Sequence, residues 1–124
     1  LGTLCCAVCP QRLPLLIGET RAKEMIFTGR EITAETAREW GLVNGVFTAG
    51  SLLEETLNLA EEVARNSPYA VTCAKRSVNG GREMLLEEAL EWERSLFGEC
   101  GESRDRKEGM TAFLEKRPRV FTGE

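Results

Sequence analysis

The stretch from Gln11 to Phe47, QRLPLLIGETRAKEMIFTGREITAETAREWGLVNGVF, carries the densest set of local structural signals in the chain. Residues 20–28 predict a short helix that ends at Gly29, because glycine readily adopts the left-handed conformation that closes many helices. Thr33 is a good helix cap and predicts the start of a second helix. The apolar run 42–47 is short and bounded by glycine, so it predicts either a brief strand or a packed connector.

The chain that follows this stretch also predicts helices. Four longer helices are expected, over residues 52–66, 68–81, 84–97 and 104–117. Ser51 and Ser103 are expected to cap the first and the last of them. Apolar residues recur at helical spacing and predict the inward faces of the first and third helices: Leu53, Leu57, Ala60 and Ala64 in the first, and Leu85, Ala89, Trp92 and Leu96 in the third. The sequence therefore predicts a mainly α fold.

Composition places the chain among globular domains. It has 124 residues, of which 42% are hydrophobic and 29% charged, which is ordinary for a folded domain. No apolar run reaches the roughly 20 residues that a membrane-spanning helix needs, and the first residues of the sequence do not resemble a signal peptide, because no basic segment precedes an apolar one. The chain begins at Leu1 rather than at methionine, and we expect it to be a fragment of a longer protein.

Histidine is absent and cysteine is present in an odd number, five. The absence of histidine excludes catalysis by Ser-His and Cys-His pairs and removes the commonest neutral metal ligand. An odd number of cysteines argues against a complete set of disulfides within the chain, so a reducing compartment fits best. Cys73 and Cys100 fall in or beside predicted helices and are expected to behave as small hydrophobic residues.

Charge is unevenly distributed in the C-terminal third. Residues 82–102 carry seven acidic and two basic side chains, and residues 104–119 carry six basic and three acidic ones. A solvated helix face accounts for most charge runs of this kind. An anionic ligand near the basic end is the alternative. Nucleic acid fits poorly, because the chain has a net charge of -4 and no aromatic residues are interleaved with the basic ones.

Several motifs together resemble the enoyl-CoA hydratase (crotonase) family. They are Gln11-Arg12-Leu13, Ile26-Phe27-Thr28-Gly29, Gly41-Leu42-Val43-Asn44 and the ending RDRKEGMTAFLEKRPRVFTGE over 104–124. The resemblance covers almost the whole chain and implies the C-terminal helical portion of a crotonase-like (ββα superhelix) fold. It further implies that residues 1–47 end the crotonase core and that residues 48–124 form a C-terminal helical subdomain for trimerisation and closure over CoA.

The function implied by this resemblance is hydration of a trans-2-enoyl-CoA to the 3-hydroxyacyl-CoA in fatty-acid oxidation, with no cofactor beyond the acyl-CoA substrate. Family members use two glutamates as acid and base, and both are expected upstream of Leu1. No catalytic residue is therefore assigned within the chain, and we expect the chain alone to be inactive. Glutamates such as Glu54, Glu87 and Glu108 are interpreted as solvated surface. An isomerase or another acyl-CoA enzyme of the superfamily, or a non-catalytic oligomerisation fragment, are the alternatives.

Two positions match CoA contacts of the family. Phe97 matches an aromatic residue that packs on the adenine, and Lys116 matches a basic residue near the same nucleotide. The alternatives are that Phe97 is a core residue closing its helix and that Lys116 is a solvated cation at a helix end. The resemblance also implies a trimer or a dimer of trimers, in the cytoplasm or in the mitochondrial matrix of a eukaryote.

The segment Leu4–Pro10 stands where the family has a glycine-rich loop, and it contains Cys5, Cys6 and Cys9. A structural zinc site needs four convergent ligands, and the fourth would have to come from Cys73 or Cys100 without help from histidine. We predict that no structural zinc binds. Elemental analysis should find far less than one zinc per purified chain, and chelator should leave the helical circular dichroism unchanged. Stoichiometric zinc whose removal unfolds the chain would contradict this.

Overall fold

The computed structural model describes residues 9–124, except for the side chain of Cys9, and every regular element in this part of the chain is a helix. The mainly α prediction is therefore confirmed. The helices are α1 Cys9–Ile17, α2 Glu19–Thr28, α3 Ala34–Glu39, α4 Leu52–Ala64, α5 Pro68–Gly81, α6 Leu86–Glu102 and α7 Arg104–Glu115. The chain divides into two compact units, with the boundary after Glu55. The division at 47/48 implied by the resemblance stays a prediction.

The N-terminal unit is built on α1 packed against α2. Ile17 and Ala22 are buried in this unit. Gly18 separates the two helices with φ 82°, and Gly29 closes α2 in the left-handed conformation with its N–H bonded to the Met25 carbonyl. The helix predicted over 20–28 is therefore confirmed, whereas α1 went unpredicted.

A capped short helix and a connector complete this unit. The Thr33 hydroxyl accepts a hydrogen bond from the Thr36 N–H at 3.2 Å, as its cap position predicts. The chain leaves α3 through Gly41, which has φ 77°. Residues 42–47 contain no strand, so the connector is the correct one of the two alternatives.

Helix α4 presents an apolar surface that stays largely exposed in the described part of the chain. The prediction that Leu53, Leu57, Ala60 and Ala64 form an inward face is wrong within the described chain, because α4 contains no buried residue. Its large apolar side chains are about half exposed or more, namely Leu52, Leu53, Leu57, Leu59 and Val63. The helical spacing of these residues is real, but the surface they would pack against is not supplied by residues 9–124.

Helices α5 and α6 form the main helix pair of the C-terminal unit. Ser67 caps α5 by accepting the Ala70 N–H at 3.0 Å. Helix α6 starts at Leu86 and continues to Glu102, past the predicted end at Phe97. Gly98 does not end the helix, because Glu99 beyond it still bonds to Tyr69 and Arg76 of α5.

The buried carboxylate of Asp105 connects three parts of the C-terminal unit. Its side chain is 2% exposed and accepts hydrogen bonds from the Ser67 hydroxyl at 2.6 Å, the Thr122 N–H at 2.8 Å and the Gly123 N–H at 3.1 Å. Burial alone would raise the pKa of Asp105, but these hydrogen bonds, with one from the Tyr69 N–H, hold the pKa below its ordinary value. One side chain of α7 thus fixes the start of α5 and the C-terminal segment.

Glu108 provides a second anchor for the C-terminal segment, and its interpretation as solvated surface is wrong. Arg117 donates to both Glu108 oxygens, at 2.6 and 2.8 Å, and the Val120 N–H donates to one of them at 2.9 Å. Arg117 also donates to Glu115 at 2.7 Å. The carboxylate is only partly exposed because the segment after α7 folds back over it.

The Glu108 anchor predicts an acid-dependent loss of stability. Hydrogen bonds from Arg117 and Val120 lower the pKa of Glu108 from 4.5 to about 2. A carboxylate with a lowered pKa contributes stability that is complete above its unfolded-state pKa and is lost as the pH falls towards the folded-state value. Glu108→Gln should therefore be less stable at pH 7 and should lose less stability than the parent between pH 4.5 and 2, as measured by urea unfolding.

Glu87→Gln is the matched control, because Glu87 is an exposed carboxylate of α6 for which no ion pair occurs among residues 9–124. It should follow the parent curve throughout. Parallel curves for the parent and Glu108→Gln would contradict the assignment of Glu108 as an anchor.

Candidate functional site

An open, mainly apolar groove of about 320 Å³ lies between α5 and α6. Its walls are formed by Ala70, Cys73, Ala74, Ser77 and Val78 of α5 and by Glu93, Leu96, Phe97 and Cys100 of α6. This groove borders Phe97, one of the two predicted site residues.

Phe97 stands at the edge of this groove and points into solvent. Its side chain is 81% exposed, whereas its neighbour Leu96 is 2% exposed and packs against α5. The alternative that Phe97 is a core residue of this chain is therefore wrong. An exposed aromatic face beside an apolar groove can pack against a planar ring such as a nucleobase. The assignment to CoA stays a prediction.

Lys116 closes α7 in an unusual backbone conformation. Its φ is 53° and ψ 37°, the left-handed region that glycine usually occupies at helix ends. The following N–H, of Arg117, bonds back to the Ala112 carbonyl at 3.1 Å, which is the pattern of a Schellman closure. The Lys116 side chain is exposed. It therefore presents its ammonium group to solvent at a fixed point of the backbone.

Most of the basic run after residue 103 is engaged within the chain. Arg104 pairs with Glu124 at 2.5 Å, and Arg106 donates to the Gly101 carbonyl at 3.1 Å. Arg117 is held by Glu108, and Arg119 lies over the Phe121 ring at 5.8 Å. Among residues 9–124, the basic side chains of this run that form no ion pair, hydrogen bond or ring contact are Lys107 and Lys116. The hypothesis of an anionic ligand at this end therefore rests on these two lysines.

The structure does not bring the two predicted site residues into one recess. Phe97 borders the groove between α5 and α6, and Lys116 is not among the residues that line it. Helix α7, whose 12 residues span about 18 Å, separates them in sequence. Contact of both with a single ligand requires either a long ligand or a chain that folds back.

A polar cluster at the packed side of α5 and α6 was not predicted from the sequence. Glu99 accepts hydrogen bonds from Arg76 at 2.6 Å and from Tyr69 at 3.1 Å. Trp92 donates to the Arg76 carbonyl at 3.4 Å, and the Arg76 guanidinium lies 5.6 Å from the centre of the Trp92 ring. The helical spacing of Tyr69 and Arg76, which are seven residues apart, places them on one face and could have indicated the cluster.

This cluster is suited to holding helices together rather than to proton transfer. The hydrogen bond from Arg76 lowers the pKa of Glu99, and the bond to Glu99 raises the pKa of Tyr69. At neutral pH, Glu99 is thus a stable carboxylate and Tyr69 a neutral phenol. Both shifts move the pKa of the group further from neutral pH, whereas a general acid or base works best with a pKa near the pH at which it operates.

Among the described residues there is neither a group of potential metal ligands nor a membrane-spanning helix. Within residues 9–124, no three side chains of His, Cys, Asp or Glu are grouped so that they could hold a metal ion. The thiols of Cys5, Cys6 and Cys9 lie outside the described side chains, so the zinc prediction stays open. No helix among the described residues combines the length and apolarity needed to span a bilayer.

Comparison with known proteins places this arrangement in a family. The family model described as enoyl-CoA hydratase/isomerase matches residues 1–124. The mitochondrial enoyl-CoA hydratase of Pongo abelii is 42% identical over 121 residues, which are 98% of this chain and 42% of that protein. The short-chain-enoyl-CoA hydratase of Clostridium acetobutylicum is 40% identical over 86% of this chain and 41% of its own length.

Solved structures agree with this match. The crystal structure of enoyl-CoA hydratase from Bacillus anthracis superposes with a TM-score of 0.94 at 41% identity, covering 99% of this chain and 48% of that one. The predicted C-terminal helical portion of a crotonase-like fold is thereby confirmed. The chain spans less than half the length of the relatives that it matches. With a family model matched over its whole length and a backbone that superposes on a solved hydratase, the chain belongs to the enoyl-CoA hydratase/isomerase family.

Proposed function

We propose that this chain is the C-terminal helical part of an enoyl-CoA hydratase, which adds water across the 2,3-double bond of a trans-2-enoyl-CoA to give the 3-hydroxyacyl-CoA. The observation that carries the proposal is the close superposition on a solved enoyl-CoA hydratase at 41% identity over 99% of the chain. Relatives named hydratases at similar identity support it. The reaction needs no metal or redox cofactor, and the acyl-CoA thioester is the substrate.

In this proposal the chain contributes binding rather than acid–base chemistry. Phe97 offers an exposed ring for the adenine, and Lys116 offers an exposed ammonium for the phosphates of the same nucleotide. Glu99 and Glu108 are committed to arginines, so neither is available to move a proton to or from water. We assign the two glutamates that act as acid and base, and the amides that stabilise the enolate, to the part of the protein outside this chain.

The assembly proposed for the whole protein is a trimer or a dimer of trimers. The uncovered apolar side chains of α4 support this, because a contiguous exposed apolar surface marks an interface and none of the α4 residues is buried. The same surface favours the second candidate function, a non-catalytic oligomerisation module. The location proposed is the cytoplasm, or the mitochondrial matrix in a eukaryote, as in the relative named mitochondrial.

A chimaera with the Bacillus anthracis hydratase tests the proposed function. The relative supplies everything up to and including its glycine-rich loop, and this chain supplies Gln11–Glu124. We expect this chimaera to hydrate crotonyl-CoA, followed by loss of the ultraviolet absorbance of the conjugated thioester. The chain alone should not, because it lacks the acid–base pair and the oxyanion amides.

A second chimaera, joined so that it keeps Leu1–Pro10 of this chain, isolates the effect of the cysteine-containing segment. It should be slower than the first, because residues with side chains cannot adopt all the torsions that glycine allows. A first chimaera that is folded and trimeric by sedimentation but inactive would contradict the hydratase proposal and would favour the oligomerisation module.

Substitution of the two proposed contacts in the active chimaera tests the nucleotide site. Phe97→Ala and Lys116→Ala should each weaken CoA-ester binding by about 0.5–2 kcal/mol, which is a rise in KM of roughly 2- to 30-fold. The kcat should not change, because these contacts act equally on ground and transition states. Steady-state kinetics and calorimetric titration with CoA measure both quantities.

Phe113→Ala and Lys75→Ala are the matched controls. Phe113 is 82% exposed but does not line the groove, and Lys75 is exposed with no ion pair among residues 9–124. Both should leave binding unchanged. Equal effects of the control and test substitutions would contradict the assignment of Phe97 and Lys116 to the nucleotide.

A further inference from the structure

Two cysteines of the C-terminal unit take no part in the proposed function. Cys73 of α5 and Cys100 of α6 are both free thiols, and both line the groove between these helices. Cys73 is 6% exposed and Cys100 is partly exposed. A buried thiol and a more accessible one therefore face the same recess from opposite helices.

The register of the helix pair brings these thiols to the same level. Opposite Trp92 lies Gly80, where an added Cβ would sit 3.0 Å from the indole nitrogen. Seven residues back along α5 from Gly80 is Cys73, and eight residues on along α6 from Trp92 is Cys100. The two helices run antiparallel, so a step back along α5 and a step on along α6 point in the same direction. At 1.5 Å per residue these steps are about 10.5 and 12 Å, which places Cys73 and Cys100 at nearly the same height along the pair.

A second pair of contacts gives the same register from the other side. Arg76 and Glu99 are joined by an ion pair of 2.6 Å. Cys73 lies one turn before Arg76, and Cys100 directly follows Glu99. Cys100 also lies one turn after the buried Leu96, on the face of α6 that meets α5. The Cys100 thiol contributes to the electrostatic environment that raises the pKa of Cys73, which is consistent with their proximity.

Small residues let the two backbones approach. Gly81 lies opposite Ala89, with 3.5 Å between the Ala89 methyl carbon and a Cβ placed on the glycine. Ala70 and Ala74 flank Cys73 on the groove wall. A disulfide requires Cα atoms about 4.4–6.8 Å apart, and a helix pair reaches such separations only where its contact residues are small.

We propose that Cys73 and Cys100 form a reversible disulfide that joins α5 to α6, with glutathione disulfide or a related small disulfide as the oxidant. The Cys100 thiolate attacks one sulfur of the oxidant and releases one glutathione thiolate. The Cys73 sulfur then attacks Cys100 of the mixed disulfide and releases the second. The two thiol protons end on two glutathione molecules, so the protein loses two protons and two electrons and the oxidant gains them.

Accessibility sets the order of these steps. Cys100 is the thiol that a bulky oxidant reaches first, because Cys73 is almost fully covered. Burial, its largest cause, raises the pKa of the Cys73 thiol, so the closing step should become faster as the pH is raised. The bond would fix the spacing of the walls beside Phe97, and it does not depend on the proposed hydratase activity.

The experiment uses the chain with Cys5, Cys6 and Cys9 replaced by serine, so that only the two thiols of interest remain. The protein is equilibrated at pH 8 with mixtures of reduced and oxidised glutathione, trapped with alkylating agent and digested. We expect a peptide pair linked through Cys73 and Cys100 and an intact mass lower by about two hydrogens. The effective concentration of the two thiols should be at least about tenfold higher in buffer than in urea, since a disulfide compatible with the fold stabilises it.

The matched variant Cys100→Ser should show no linked peptide and no glutathione on the buried Cys73 while its helical circular dichroism is unchanged. Separate mixed disulfides on Cys73 and Cys100 in the two-thiol chain, or an effective concentration no higher in buffer than in urea, would overturn the proposal. The urea sample gives the effective concentration in the unfolded chain. If the two-thiol chain folded poorly, the effective concentrations in buffer and in urea would be equal, and this outcome would count against the proposal.

Discussion

The C-terminal unit depends on the carboxylate of Asp105, which is buried and fully provided with donors. An ionised carboxylate removed from water is costly unless hydrogen bonds replace its hydration. Here a hydroxyl from the cap of α5 and two N–H groups of the C-terminal segment supply those bonds. Asp105 therefore holds together three parts of the chain that are separated in sequence: α7, the start of α5 and the C-terminal segment. Glu108 extends this anchoring along the C-terminal segment, so that Lys116 lies between two fixed points.

The packing of α5 on α6 also uses glycines of α5, which face Trp92 and Ala89 of α6. An added Cβ at Gly80 would sit 3.0 Å from the Trp92 indole nitrogen, so a side chain at that position would displace the indole. The polar cluster around Glu99 then holds the opposite end. Between these contacts, the small residues of α5 leave a groove that the helices do not fill.

The sequence predicted much of the helical fold because its signals are local. Thr33 and Ser103 accept the N–H groups that their predicted cap positions require, and such caps depend on a few neighbouring residues only. Ser51, also predicted as a cap, instead bonds through its hydroxyl to Thr48. Helix α1 went unpredicted because Pro14 interrupts its pattern, although Leu13, Leu16 and Ile17 keep helical spacing. The roles of Asp105 and Glu108 could not be predicted, because their partners lie 9 to 38 residues away and only the folded chain brings them together.

The candidate site shows the same limit in another form. Periodicity grouped Leu96 with the inward face of α6 correctly, but it could not say whether the next residue, Phe97, would face a neighbouring element. The exposed fractions of 2% and 81% for these adjacent residues show that α6 packs one face against α5 and leaves the face of Phe97 exposed. Packing within this unit does not explain the exposed ring of Phe97. It does not explain the exposed leucines of α4 either. Both features are accounted for if further polypeptide or ligand covers them in the whole protein.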